Sequence, residues 1–375
     1  MTTAGAAPRR VCFPYPGDSV GGSHLSSVLL IEALDRRRYE PHIVLHREGA
    51  LADFLRERSL PYEVLPVPAL AGEGADLWRI ARAQVLCASP ILRFLRRAAI
   101  DIVHTNDLRT HLSWAIPTRL AGRRLVWHQR MILSASPLWR LIPVVASRVP
   151  CISGAVQRSL PPSPKTEVIP NPAALVEEPT GRLRDALLQE VHGEASSLLV
   201  GFVGNMMAQK RPHIFLRAAA HVSAAHPSAR FLLFGDDRGG ELQAMHALAA
   251  ELGIAGVVHF MGYRRPIEPW IGALDLLLAP GIGDAFGRTL VEAMMARTAV
   301  IAANSGGHAE IIHDGVTGLL VGPDDPAALA AAASDLLHRP ERRAALALAA
   351  RRHAEATYSP AAHAQRVVAL YDTLF

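Results

Sequence analysis

The sequence predicts an α/β protein made of two consecutive doubly wound parallel-sheet domains. Three observations predict it. The chain has 375 residues, more than the roughly 250–300 at which a single core stops growing. Short β-rich runs alternate with helical patterns, the order expected of a parallel sheet covered by helices on both faces. The alternation pauses at a polar stretch and then restarts. This places a first domain at 1–172, a linker at 173–195 and a second domain at 196–358, with a last helix at 359–375 packing back on the first.

In the first half the candidate strands are 11–13, 42–46, 62–67, 101–105, 125–128, 150–153 and 168–170, with amphipathic patterns such as 26–34 and 50–58 between them. The first strand runs into a turn holding Gly21-Gly22-Ser23-His24 and then a helix. Gly21 and Gly22 let backbone approach a ligand closely and Ser23 suits a helix cap, although an ordinary βα turn looks the same. Residues 78–100 mix Trp78, Ile80, Val85, Leu86, Ile91, Leu92, Phe94 and Leu95 with Arg79, Arg82, Arg93, Arg96 and Arg97. A helix of this kind either lies on anionic lipid or turns a solvated basic face outward with its apolar side in the core. His104 and His128 end strands, and strand carboxyl ends are where ligands sit in open α/β sheets. His128, with Gln129 and Arg130 beside it, is the stronger candidate. Pro161-Pro162-Ser163-Pro164 and Pro170-Asn171-Pro172 read as loops.

In the second half the candidate strands are 198–203, 231–234, 257–260, 274–278, 299–303 and 319–321, and 326–337 is an alanine-rich helix. The first of these strands leads into Gly204-Asn205-Met206-Met207-Ala208-Gln209-Lys210-Arg211-Pro212 and a helix. Pro212 suits a first helical turn. Free N–H groups there, with Lys210 and Arg211, make an anion site. Only two of the 39 basic residues are lysines, Lys165 and Lys210, so the one in this turn stands out. Its spacing is neither GxGxxG nor GxxxxGK[ST], so the dinucleotide and P-loop signatures are lacking. Gly235-Asp236-Asp237, Gly262-Tyr263 and Ser305-Gly306-Gly307-His308-Ala309-Glu310 follow other strand ends. Several such turns on one sheet edge point to a shared cleft.

The stretch Gly283-Asp284-Ala285-Phe286-Gly287-Arg288-Thr289-Leu290-Val291-Glu292-Ala293 follows the apolar run 274–280 and opens a helical pattern over 286–296. Asp284, Arg288 and Glu292 are spaced i, i+4, i+8 and would share one helix face. Two acids and an arginine at a strand-to-helix turn suit a ligand rich in hydroxyls and phosphate. The plainer alternative makes Asp284 a helix N-cap and Arg288 with Glu292 a surface ion pair.

Composition narrows the class. Half the residues are apolar and 19% are charged, as in a globular chain. Cys12, Cys87 and Cys151 are far apart, so neither a disulfide framework nor a zinc site is expected, and a reducing compartment fits. No apolar run reaches the length of a membrane span, and the N-terminus lacks a signal-peptide core. Residues 1–175 carry 22 basic and 13 acidic side chains, against 17 and 21 in the rest. A basic front half fits an anionic partner such as a membrane surface. Nucleic acid is not expected, since the basic surplus is diffuse and lacks interleaved aromatics. The expected location is cytoplasmic, with possible peripheral contact at the inner face of the cell membrane.

Taken together, these motifs resemble the retaining GT-B glycosyltransferases of family GT4, over nearly the whole chain and most specifically from Gly201 to Val321. The family's Glu-x7-Glu carboxylate motif, with Phe-Gly inside it, is matched by Asp284, Phe286, Gly287 and Glu292. Its phosphate loop is matched by Gly204 to Lys210, and its Gly-Gly-x-x-Glu by Gly306, Gly307 and Glu310. Its front-domain glycine loop is matched by Gly21-Gly22, and its hinge-proximal Ile-Pro-Asn by Ile169-Pro170-Asn171. The resemblance implies GT-B architecture, two Rossmann-like domains facing across a cleft. It implies a nucleoside-diphosphate sugar donor (UDP-, GDP- or ADP-linked), a carbohydrate or lipid-linked acceptor, retention of anomeric configuration, and no cofactor or metal. Glu292 would hold the ribose hydroxyls, Asp284 would contact the transferred sugar, and Lys210 would neutralise the departing diphosphate. His128 would lie near the reacting carbon. The remaining donor-binding positions implied are Gly21, Gly22, Gly204, Asn205, Arg211, Gly262, Tyr263, Phe286, Gly287, Arg288, Thr289 and Glu310.

Three positions depart from the pattern. Asp284 is one methylene shorter than the usual Glu. Asn205 stands where the phosphate loop usually has Arg, leaving Arg211 as a stand-in. Asn106 stands where a further His is common. A nucleotide-sugar epimerase on the same frame, or a non-catalytic nucleotide-sugar binder, are the alternatives.

Overall fold

The computed structural model describes residues 7–67, 77–134, 136–176 and 181–375, without the side chains of 77–85 and 137. Its contacts divide the chain into two compact units, Met1–Pro172 with Pro360–Phe375, and Ala173–Ser359.

In the first unit, β1 (Arg9–Tyr15), β2 (Tyr39–Leu45), β3 (Tyr62–Val64), β4 (Ile102–Thr105) and β5 (Arg124–Trp127) form a parallel sheet in the order β3-β2-β1-β4-β5. Helices α1 (Gly22–Ala33), α2 (Ala50–Glu57), α3 (Leu77–Arg97) and α4 (Leu108–Leu120) connect the strands. After α5 (Ile142–Val145) come β6 (Val149–Cys151), α6 (Gly154–Arg158) and β7 (Thr166–Val168). The pair β6-β7 joins the sheet through single bridges from Val126 to Arg148 and from Gln129 to Cys151.

The second unit opens with α7 (Gly181–Glu190), so the stretch expected to be a linker carries a helix and groups with this unit. Its strands are β8 (Leu199–Val203), β9 (Arg230–Phe234), β10 (Val258–Gly262), β11 (Leu276–Ala279), β12 (Ala299–Ala303) and β13 (Leu319–Val321). They form a parallel sheet in the order β10-β9-β8-β11-β12-β13. The intervening helices are α8 (Pro212–Ala225), α9 (Leu242–Glu251), α10 (Glu268–Gly272), α11 (Arg288–Met295) and α12 (His308–Ile311), followed by α13 (Pro326–His338) and α14 (Pro340–Tyr358). Strands such as Leu276–Ala279 and Ala299–Ala303 are almost continuously apolar because helices cover both faces of the sheet.

The last helix, α15 (Pro360–Asp372), belongs to the first unit. Its Val367, Leu370 and Tyr371, with Leu374 just beyond, are buried in the same core as Val11, Phe13, Leu30 and Leu45. The described part of α3 buries Ile91, Phe94 and Leu95 while Arg93, Arg96 and Arg97 face solvent. Those three apolar side chains serve the core, while Leu86 of the same helix is 52% exposed. The side chains of Trp78, Ile80 and Val85 lie outside the described residues.

Candidate active site

In a doubly wound sheet the strand order reverses at one point, and the loops leaving the two strands there diverge to open a crevice. In the second unit that point lies between β8 and β11. The loop after β8 carries Lys210, and the loop after β11 carries Asp284. Lys210 Nζ lies 2.8 Å from both Asp284 Oδ1 and Oδ2. His308 Nε2, at the start of α12, lies 3.0 Å from Asp284 Oδ2. Asp284 is only 9% exposed. Burial alone would raise its pKa, but the His308 hydrogen bond and the Lys210 charge outweigh it and bring the carboxyl to about 2. The result is a buried, ionised carboxylate between two donors.

The backbone holds this cluster together. Gly307 N–H donates to Asp284 O at 2.8 Å and Gly283 N–H to Ser305 Oγ at 3.2 Å. A Cβ on Gly307 would lie 2.2 Å from Phe286 O, and one on Gly306 (φ +55°) would lie 2.6 Å from Asp284 O. The two glycines are therefore needed to let this loop touch the one before α11. Gln209 ties the loop after β8 to the same place, with its carbonyl accepting from Ile282 N–H at 3.0 Å and its side chain donating to Gly283 O at 3.2 Å.

Other expected residues take different positions. The N-cap of α11 is Gly287 in the left-handed conformation (φ 104°), so Asp284 lies ahead of the helix, neither capping it nor sharing a face with Arg288 and Glu292. Arg288 Nε does pair with Glu292 Oε1 at 2.6 Å, but Glu292 is buried rather than on the surface. Burial raises the Glu292 pKa, against the Arg288 charge. Thr289 is half-buried beside them and Phe286 is buried. Arg211 adopts the left-handed conformation and its guanidinium pairs with Asp324 at 3.2 Å. Asn205 Oδ1 accepts from Asp236 N–H at 3.3 Å, linking the loops after β8 and β9. Gly204 packs against the Lys210 stem. Gly262, Tyr263 and Glu310 are exposed. A cavity of about 510 Å³ runs along β10 and α9, with Gly235 and Gly262 in its lining but neither Lys210 nor Asp284.

The first unit reverses between β1 and β4. The loop after β1 leads to Gly21 and Gly22, both exposed at the start of α1. Gly21 is the N-cap, with its N–H donating to His24 Nδ1 at 3.0 Å, so Ser23 lies inside the helix instead of capping it. A cavity of about 270 Å³ nearby is lined by Ser23, Asn106, Arg109, His111 and Arg130 among others.

Beneath this edge, His104 and His128 are fully buried. Tyr371 of α15 hydrogen-bonds His104 Nδ1. His104 Nε2 lies 3.0 Å from His128 Nδ1, and Arg130 Nη2 lies 3.3 Å from the same atom. An arginine only donates, so His128 Nδ1 is an acceptor and its ring proton sits on Nε2. His104 then donates from Nε2 and accepts the Tyr371 hydroxyl proton at Nδ1. Burial first, and the Arg130 charge second, push both histidines well below the usual range, so they are neutral. His128 Nε2 is buried and, among the described residues, has no hydrogen-bond partner. A buried donor without an acceptor is uncommon, and it leaves one N–H available to a bound oxygen. Asn106 accepts from Arg130 at 2.7 Å and Asn171 accepts from it as well, so Asn106 orients the arginine.

Sequence reasoning passed over His308, Arg130 and Tyr371 as site residues. His308 stands inside the Gly306-Gly307 motif, and Arg130 stands two residues from His128, so each had a local signal. Tyr371 is separated from His104 by 267 residues and had none. Among the described residues no group of three or more His, Cys, Asp or Glu is placed to hold a metal ion, and no helix is long and apolar enough to cross a membrane.

Residues 197–339 match the family model described as glycosyl transferases group 1. The D-inositol 3-phosphate glycosyltransferase of Corynebacterium urealyticum is 36% identical over 186 residues, covering 48% of this chain and 44% of that protein. The enzyme of the same name from Rhodococcus opacus is 38% identical over 179 residues, covering 46% and 40%. The match thus spans less than half the length of these relatives. Among solved structures, Anabaena HepE in complex with UDP superposes with a TM-score of 0.83 at 23% identity, over 97% of this chain and 100% of that one. A glycosyltransferase from Rickettsia africae superposes with a TM-score of 0.85 at 17% identity, over 98% of each chain. Residues 197–339 thus match the glycosyl transferases group 1 family, and the chain as a whole has the fold of the GT-B glycosyltransferases.

Proposed function

We propose that this protein transfers a sugar from a nucleoside-diphosphate sugar to a hydroxyl acceptor, with retention of configuration and without a metal. The observation that carries the reading is the Lys210–Asp284–His308 cluster at the reversal point of the second sheet, within the segment matched by the family. Departure of a nucleoside diphosphate builds negative charge on phosphate oxygen. Lys210 supplies a fixed cation for that charge, in the role a metal would otherwise take. Both oxygens of Asp284 already have donors. That arrangement suits a carboxylate that orients sugar hydroxyls better than one that attacks carbon, so no enzymatic nucleophile is assigned and the acceptor enters from the face the diphosphate leaves. Glu292 is assigned to the ribose hydroxyls, and the exposed Gly262 and Tyr263 to the nucleotide. The second unit is thus the donor domain.

The first unit is assigned to the acceptor side. Gly21 and Gly22 offer exposed backbone at the positive end of α1. The free His128 Nε2 proton is assigned to an oxygen of the transferred sugar. HepE has been crystallised with UDP and with UDP-glucose, which supports a UDP-sugar as the first donor to test. A carbohydrate or lipid-linked acceptor in cell-surface polysaccharide or glycolipid synthesis, met in the cytoplasm, fits this reading.

A thermal-shift panel of UDP-, GDP- and ADP-sugars tests it, because a ligand that binds only the folded state raises the melting temperature. One nucleotide class should raise it, and the rise should vanish in Glu292→Ala. The same donor incubated with and without acceptors separates transfer from epimerisation. No shift with any donor, together with no donor turnover, overturns the reading.

A further inference from the structure

The end of the first sheet opposite Gly21 and Asn106 carries a second cationic feature. A cavity of about 230 Å³ is lined by Arg119, Arg124, Arg148 and Lys165. Arg119 lies in the last turn of α4, Arg124 opens β5, Arg148 stands just before β6, and Lys165 just before β7. Lys165 donates to the carbonyls of Pro143 and Ala146 at 2.6 and 3.0 Å, and Arg148 to Thr373 Oγ1 at 3.0 Å. Among the described residues no carboxylate pairs with any of the four. Other arginines of this unit, such as Arg10 and Arg97, each pair with an acid.

The surface beside the cavity is apolar. Leu120 follows Arg119 on α4 and is 64% exposed, while Leu141 and Val144 around α5 are 54% and 65% exposed. Large apolar side chains standing in water next to unpaired cations form a surface complementary to a bilayer interface. There, apolar groups enter the acyl boundary while cations meet phosphate.

We infer that this face docks on an anionic lipid bilayer. Leu120, Leu141 and Val144 insert, and Arg119, Arg124, Arg148 and Lys165 hold the phosphate of a lipid headgroup. The inference does not depend on the sugar-transfer reading, since the face lies at the end of the first sheet away from His128. It is a different face from α3, whose described half buries Ile91, Phe94 and Leu95.

The test is sedimentation of the full chain with phosphatidylcholine vesicles and with vesicles in which part of that lipid is replaced by phosphatidylglycerol. Binding should favour the anionic vesicles by about tenfold or more and weaken as salt is added. Arg119→Glu with Arg148→Glu should remove most of it, and Leu120→Ser with Val144→Ser should weaken it on a separate track, both with the native circular dichroism spectrum retained. Arg93→Glu with Arg96→Glu on α3 should keep it. Equal partition onto both vesicle types, or unchanged partition in a folded Arg119/Arg148 variant, overturns the inference. So does protection of the arginines by inorganic phosphate without vesicle binding, which would make the cavity a site for a free phosphate.

Discussion

Lys210 Nζ lies at the same 2.8 Å from each oxygen of Asp284, so one ammonium group bridges a carboxylate that is almost sealed from water. Lys210→Ala removes both the cation assigned to the phosphate and the partner of a buried charge. We expect turnover to fall by about a hundredfold or more, the scale seen when one preorganised charge-stabilising donor is removed. Stability should fall by about 1–2 kcal/mol, less than for a fully buried pair because Lys210 is partly solvated. Initial rates and urea unfolding of the same variant measure the two effects. Wild-type turnover would remove Lys210 from the chemistry.

Asp284→Asn keeps the size of the side chain and loses its charge. Turnover should drop more than UDP affinity does, since the carboxylate is assigned to the sugar and not to the nucleotide. Titration of UDP alongside the rate assay separates the two. Full turnover with normal UDP binding would take Asp284 out of the site.

His308 acts through Asp284. His308→Leu deletes a hydrogen bond that lowers the carboxyl pKa, so the acid limb of the rate profile should move to higher pH while UDP affinity stays the same. His308→Gln, which retains a donor, should restore part of the rate. A profile unmoved in His308→Leu would reduce His308 to packing.

Tyr371→Phe removes the hydroxyl that donates to His104 Nδ1 and leaves a buried acceptor unpaired. The expected loss is about 1–3 kcal/mol of stability. Turnover should fall with it and UDP affinity should not, because His128 orientation depends on His104. Turnover that is normal below the melting transition would show the relay to be structural only.

Burial holds the pKa values of His46, His111 and His363 at about 4, 3 and 3 respectively. Unfolded, each takes up a proton below about pH 6.5, whereas the folded chain resists doing so. Their contribution to stability is therefore whole above about pH 6.5 and shrinks as pH falls toward these folded values. By about pH 5 each should cost about 1–2 kcal/mol. Urea midpoints measured from about pH 7.5 down to about pH 5 check this, and a flat profile would contradict it.

Much of this architecture was legible in residue pattern. Every candidate strand overlaps an observed one, because parallel strands buried on both faces leave continuous apolar runs such as Leu276–Ala279. The turns of interest were legible too, because glycine at strand ends marks where backbones must meet, as Gly307 meets Phe286. Side-chain partners were not. The helical spacing of Asp284, Arg288 and Glu292 looked like one face, yet the left-handed Gly287 starts α11 only after Asp284. Arg211 looked free for phosphate, but Asp324, 113 residues later, takes it. Periodicity reports which face of an element is buried and carries no information about which distant charge arrives there.

The return of α15 to the first unit has a consequence for biosynthesis. Translation delivers β1 to β7 long before Tyr371 and Leu374, which complete their core. The second unit can finish folding on the ribosome while the first still waits for its closing helix. Until α15 has emerged, the nascent front half therefore exposes an apolar sheet face, which makes it the segment a chaperone would have to shield.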